Sequence, residues 1–230
     1  MNMKKGIIIL LVTALVVAVY PFRSLLAAPF AAIMRPKTVH PRIESTEYMF
    51  DPIQIATSGN RVVRVAGTNV NLEYVAEYSI AGRVLGIDDY SGQRVQDIIS
   101  PRDVALAWGW LTDTEVDSRI NWGPYNYREF LFSVQNDQWL RSVGGVDAVI
   151  SHTSNNHLLS VNNEIRRLIN DIEVGDFIKI EGYLVNMTHN VGRRGAYFLW
   201  STSTSRTDTD CEVIYVTNVT WLQGPSTPSG

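Results

Sequence analysis

A chain that carries glycines inside long β-favouring runs has few ways to bury those runs. Residues 72–87, LEYVAEYSIAGRVLGI, are rich in β-branched and aromatic side chains and are broken by Gly82 and Gly86. Residues 177–187, FIKIEGYLVNM, alternate apolar and polar side chains around Gly182. Period-two alternation marks a strand with one buried face, and a glycine within it marks a bulge, a bend or a close backbone approach. Strands that bend in the middle fit a sheet coiling on itself. Only a closed or nearly closed sheet covers Val75, Ile80, Val84, Phe177, Ile180, Leu184, Phe198, Val213 and Tyr215 together, and these are the expected core.

Shorter segments extend the set. RVVRV (61–65), EFLFSV (129–134), WLRSV (139–143), DAVIS (147–151), GAYFLWSTSTS (195–205) and CEVIYVTNVTWL (211–222) read as strands, for six to eight in all. Two helices interrupt them. In SPRDVALAWGWL (100–111) Ser100 can cap, Pro101 fits the first helical position, and Asp103 stands where a capping-box acid would be. In SVNNEIRRLINDI (160–172) Ser160 caps, and Val161, Ile165, Leu168, Ile169 and Ile172 recur at helical spacing. The expected class is mainly β, of the α+β kind, with two short helices. VGDFIKIEGYLV (174–185) resembles strands of OB-type barrels, in which a Gly-Asp turn leads into a curved strand. Such a barrel has five strands, with a helix between the third and fourth that residues 160–172 would supply. Helix 100–111 and the loop 112–128 would then be an insertion.

The N-terminus reads as an address. MNMKKGIIILLVTALVVAVYPF sets Lys4 and Lys5 before an apolar run from Gly6 to Tyr20, the charged start and apolar core of an export signal. A cut after Ala28 would put Pro29 beside the scissile bond and Leu26 three residues before it, so no clean cleavage site is present. A span needs roughly 17–25 apolar residues, which residues 6–22 barely reach before Arg23 interrupts. A single-pass anchor is favoured over a cleaved signal peptide, and the positive-inside bias keeps Lys4 and Lys5 in the cytoplasm. The expected place is the inner membrane, with the domain on the periplasmic side. Residues 1–34 are this segment, 35–60 a proline-bearing linker, 61–222 the OB-like β-barrel domain, and 223–230 a disordered tail.

The formal net charge is −3, and no long basic run appears. Nucleic-acid binding needs a basic face that releases counterions from phosphate, so no nucleic-acid partner is expected. The sixteen arginines against four lysines read as compositional bias rather than an anion site. Cys211 is the single cysteine, which precludes an intramolecular disulfide; a small buried hydrophobe is a better reading of it than a reactive thiol.

Three clusters could carry chemistry. SHTSNNHLL (151–159) places His152 and His157 five residues apart in what reads as a loop, with Asn155 and Asn156 suited to turns. A polar turn outweighs a functional loop, because zinc sites favour tighter and more rigid histidine spacing. No metal and no cofactor is assigned. SRTDTDCE (205–212) gathers Arg206, Asp208, Asp210, Cys211 and Glu212, and reads first as a hairpin connection with Arg206 neutralising the acids. INWGPYNYREF (120–130) sets Trp122, Tyr125, Tyr127 and Arg128 around a Gly-Pro turn, residues that either form a binding surface or cover one end of the sheet. Asn155, Asn156, His157, Arg206, Trp122 and Arg128 are the ligand-binding candidates. If the first cluster is more than a turn, His157 is the better of its histidines, since Leu158 and Leu159 should hold it. One of Arg206, Asp208 or Asp210 should then lie within its reach.

SNNHL, GYLV, WSTSTSRTDTDCE and IYVTNV resemble the landmarks of a family of uncharacterised exported or membrane-anchored bacterial proteins with an OB-like barrel. The resemblance implies no named activity and transfers no catalytic residue. The favoured function is a membrane-anchored binding or assembly module that contacts an envelope protein or polymer through loops 120–130, 152–160 and 204–211. The alternative is an envelope hydrolase or transferase using His152 or His157 with Asp208, Asp210 or Cys211. G-x-S-x-G, H-E-x-x-H and S-x-x-K are all absent, and binding is preferred to catalysis.

Overall fold

Ala66 and Gly67 both have positive φ, 48° and 82°, and this two-residue turn joins two long strands, β2 (Ile53–Val65) and β3 (Thr68–Asp89). Such a turn twists in the sense of its flanking strands, so the hairpin closes without splaying. The computed structural model describes residues 38–126, 128–192, 196–205, 208 and 210–225, which apart from Thr38 lie in one unit, Val39–Gly230. The expected N-terminal anchor, Arg206 and most of the expected tail lie outside the described residues. Among those described, no helix is long and apolar enough to cross a membrane.

The described chain is mainly β. β3 pairs antiparallel with β4 (Arg102–Ala107), and β4 antiparallel with β7 (Thr153–Leu159). β7 then pairs parallel with β10 (Glu212–Leu222). β10 pairs antiparallel with β8 (Phe177–Asn190), and β8 returns to β3. Each of these five strands therefore has two partners within the circuit. β2 and β9 (Tyr197–Trp200) extend the sheet beside β3 and β8, and β1 (Arg42–Ile43) pairs with the far end of β10. An apolar cluster draws Ile80, Leu106, Leu158, Ile180 and Ile214 from the five strands and packs Ile169 among them. That isoleucine belongs to α5 (Asn163–Asp171), which follows β7 and is capped by the Asn162 side chain. Gly182 marks a close backbone approach: a Cβ there would collide with the Tyr215 carbonyl, opposite the bulge in β10.

Of the expected core residues, Ile80, Val84, Phe177, Ile180, Leu184, Val213 and Tyr215 are buried, while Val75 and Phe198 are half-buried.

Several elements differ from the sequence reading. Residues 100–111 hold no α-helix: α1 (Val95–Ile99) ends at Ser100, and β4 follows. Pro101 thus marks a helix end rather than a start, as proline does just beyond a C-cap. All of Asp103–Ala107 is buried, and a strand covered on both faces loses the alternation that would identify it. WLRSV and DAVIS are helical, in α3 (Asp137–Ser142) and α4 (Val146–Ile150), with Asn136 accepting from the Trp139 amide at the start of α3. With α2 (Thr114–Asp117) the described helices number five, not two. The segment read as linker contains β1 and the start of β2, and His40 stacks on Trp221 at 3.6 Å. Residues 120–130 form a hairpin, β5 (Ile120–Asn126) and β6 (Glu129–Val134). The stretch 153–159, expected as a loop, is strand β7, because its asparagines satisfy buried groups rather than turns.

Candidate functional site

Asp103 on β4 and His157 on β7 stand opposite each other in register, which places both side chains on one face of the sheet. The His157 Nδ1 lies 2.9 Å from Asp103 Oδ1, a close contact without the alignment of a hydrogen bond. Arg128, in the β5–β6 turn at φ 68°, reaches the same carboxylate: Nη1 donates to Asp103 Oδ1 at 2.8 Å. Its Nη2 donates to Asp97 Oδ1 at 2.9 Å and to the Ser100 carbonyl at 3.3 Å. The guanidinium lies 3.5 Å from the Tyr90 ring centroid and 5.0 Å from that of Trp200, while Trp200 and His157 are 4.2 Å apart. Asp103 is fully buried and its Oδ2 has no hydrogen-bond partner. One cation is thus shared by two carboxylates on a floor of aromatic rings, with an imidazole beside them.

This floor closes a cleft of about 630 Å³. Tyr90, Gly92, Gln93, Arg94, Gln96 and Asp97 from the segment after β3 line it, with Arg128 and Glu129 of the hairpin, His157 of β7, and Phe198, Trp200 and Cys211 from the chain between β8 and β10. His157 is only 3% exposed, so its ring is presented at the bottom.

Asn155 ties the hairpin turn to this site. Its Nδ2 donates to the Arg128 carbonyl at 2.6 Å and to Cys211 Sγ at 3.3 Å, and the Tyr125 hydroxyl donates to its Oδ1 at 3.1 Å. Burial pushes the Cys211 thiol up to about 11, and the Asn155 donor only partly offsets that. At neutral pH the sulfur is a protonated thiol, so a Cys211–histidine dyad lacks its activated nucleophile. Burial raises the Tyr125 phenol as well.

The remaining candidates fall elsewhere. Asn156, next along the strand, is fully buried and donates to the Val104 carbonyl and Ser154 Oγ. His152 sits at the end of α4, with Nδ1 3.0 Å from the Ala148 carbonyl and its ring 5.8 Å from that of Trp110. Asp208 accepts from Ser203 Oγ and from the Asp210 amide, holding its own turn. Asp208 and Asp210 line a second groove of about 560 Å³, with Trp122, Phe130 and Phe132 of the hairpin. Trp122 also donates to Asp117 at 2.7 Å. The acid at His157 is therefore Asp103, from a segment read as helix. Among the described residues, no three His, Cys, Asp or Glu side chains gather to hold a metal ion.

Sequence reasoning missed Asp103, Asp97, Tyr90, Gln93 and Gln96. Only Asp103 left a signal, as the one acid inside the buried run DVALA. Comparison with protein families, with curated proteins and with solved structures finds no match to this chain.

Proposed function

We propose that the chain is an OB-type binding module that takes a polymer segment of the cell envelope in the His157 cleft. The N-terminal segment would hold it at the periplasmic face of the inner membrane. Taking β3, β4, β7, β8 and β10 as the five barrel strands, the third and fifth pair parallel and α5 falls between the third and fourth. In OB folds the face of strands two and three, with the loops joining strands one to two and four to five, binds oligonucleotides and oligosaccharides.

The observation that carries the reading is where the cleft lies. Its walls come from residues 90–97, between the first and second of these strands, and from residues 198–211, between the fourth and fifth; His157 is on the third. A concave polar and aromatic site suits a chain of ring units better than a flat protein surface. Co-sedimentation of the purified full-length chain with isolated envelope polymer tests this. Wild type should pellet with the polymer and Trp200→Ala should stay in solution; equal pelleting of both would remove the cleft from the interaction.

One observation favours hydrolysis as a second reading. An imidazole with its Nδ1 at a buried carboxylate and its ring in a cleft has the orientation of a general base. Release of polymer fragments by wild type and not by His157→Ala would establish it.

A further inference from the structure

The lining of the cleft restricts what can fill it. Its cationic side chains, Arg94 and Arg128, are matched by its carboxylates, Asp97 and Glu129. Arg128 is moreover committed to Asp97 and to the buried Asp103 behind it. Among the described residues the lining carries no excess positive charge, and the chain as a whole carries −3. A phosphate- or sulfate-bearing polymer owes its affinity to cations that release counterions, and here it would meet the Asp97 and Glu129 carboxylates instead. A wholly apolar ligand fits no better, because it would strip water from Gln93 and Gln96 without replacing their hydrogen bonds.

An uncharged sugar ring answers both constraints. Its faces are C–H surface that packs on aromatic rings, and its rim carries hydroxyls that both donate and accept. Phe198 and Trp200 supply an aromatic wall, with their rings 6.0 Å apart at 79°. Gln93 and Gln96, also in the lining, supply amides that donate and accept. His157 supplies one more polar atom at the bottom: Asp103 faces Nδ1, which leaves Nε2 as the ring nitrogen for the ligand. About 630 Å³ lies within the ordinary range of small-ligand sites, so a few sugar rings would occupy it.

We infer that the cleft binds an uncharged oligosaccharide, one ring against Phe198 and Trp200 and its hydroxyls shared among His157, Gln93 and Gln96. This rests on the reading of the cleft as a polymer site. Asp103 is a positioning residue for His157.

The test is calorimetric titration of the full-length chain in a sugar-free zwitterionic detergent. The probes are an N-acetylglucosamine tetramer, β-1,3- and α-1,4-linked glucose hexamers, a sulfated hexasaccharide and a single-stranded oligodeoxynucleotide. At least one uncharged sugar should bind, with the sulfated sugar and the oligonucleotide silent. Phe198→Ala and Gln96→Ala, both at partly exposed positions, should each weaken that binding about tenfold with an unchanged circular dichroism spectrum. His157→Gln should weaken it similarly if it folds, and the other two variants decide the matter if it does not. Binding of the sulfated sugar or the oligonucleotide, lost in Phe198→Ala, would keep the polymer site and overturn the uncharged sugar. An uncharged sugar that binds both variants as wild type would overturn the placement in this cleft. Silence of every probe would overturn both readings.

Discussion

Asp103 shows what a single buried carboxylate does for this site. It is fully buried, faces His157, and shares Arg128 with Asp97. Removing one partner of a buried ion pair strands the other charge, at a cost of about 3–5 kcal/mol. Asp103→Asn is expected to destabilise the fold by about 3 kcal/mol in urea unfolding, and Arg128→Met by a similar amount. The double variant should cost clearly less than the sum, because each change removes the reason the other is harmful. Wild-type stability in Asp103→Asn would show that the carboxylate does not hold Arg128 in the fold. Cys211 makes a second expectation at this scale. Its thiol is raised to about 11 by burial, above the ordinary thiol value of about 8.5. The stability it contributes is fully present below the ordinary value and is lost as pH rises through about 11. Alkylation of the folded chain by iodoacetamide should therefore be slow at pH 8, accelerate only toward pH 11, and become fast at pH 8 in denaturant. Rapid native labelling at pH 8 would mean the thiol is not raised.

At the scale of elements, β8 decides whether the circuit of strands closes. Gly182 faces the Tyr215 carbonyl so closely that a Cβ has no room, and Leu184 is wholly buried two residues on. Gly182→Ala is expected to cost about 1–3 kcal/mol through overpacking, and Leu184→Ala about 2–5 kcal/mol through the cavity left behind. Unchanged urea midpoints for both would show that this strand does not pack against β10. The alternation in FIKIEGYLV was legible because between Ile178 and Leu184 the buried Ile180 alternates with the half-buried Lys179 and Glu181. β4 was illegible for the opposite reason: Asp103–Ala107 is buried on both sides, so a strand and a buried helix look alike. β7 was misread through its composition. Serine and asparagine usually mark turns, but here Asn155 and Asn156 serve the hairpin, Cys211 and the Val104 carbonyl. The site inherits both failures. His157, Cys211 and Arg128 stood out by residue type, whereas Asp103 and Asp97 reach them only through pairing between segments far apart in sequence.

For the whole molecule, the N-terminal segment carries the proposal of an anchored domain. The apolar run from Gly6 to Tyr20 follows Lys4 and Lys5, and Pro29 disfavours a cut after Ala28. A run of this length spans the hydrocarbon only marginally, at about 1.5 Å per residue against a core of about 30 Å. If the segment is an anchor and the cleft a polymer site, tethering would bring the site to its ligand at the high local concentration of the envelope, so modest affinity per site would suffice. The chain should therefore stay in the membrane pellet through washes with high salt and alkaline carbonate, and dissolve only in detergent. N-terminal sequencing of that material should find residues before Ala28. A soluble periplasmic form starting near residues 29–33 would show instead that the segment is a cleaved signal, and would leave the cleft to meet its ligand by diffusion.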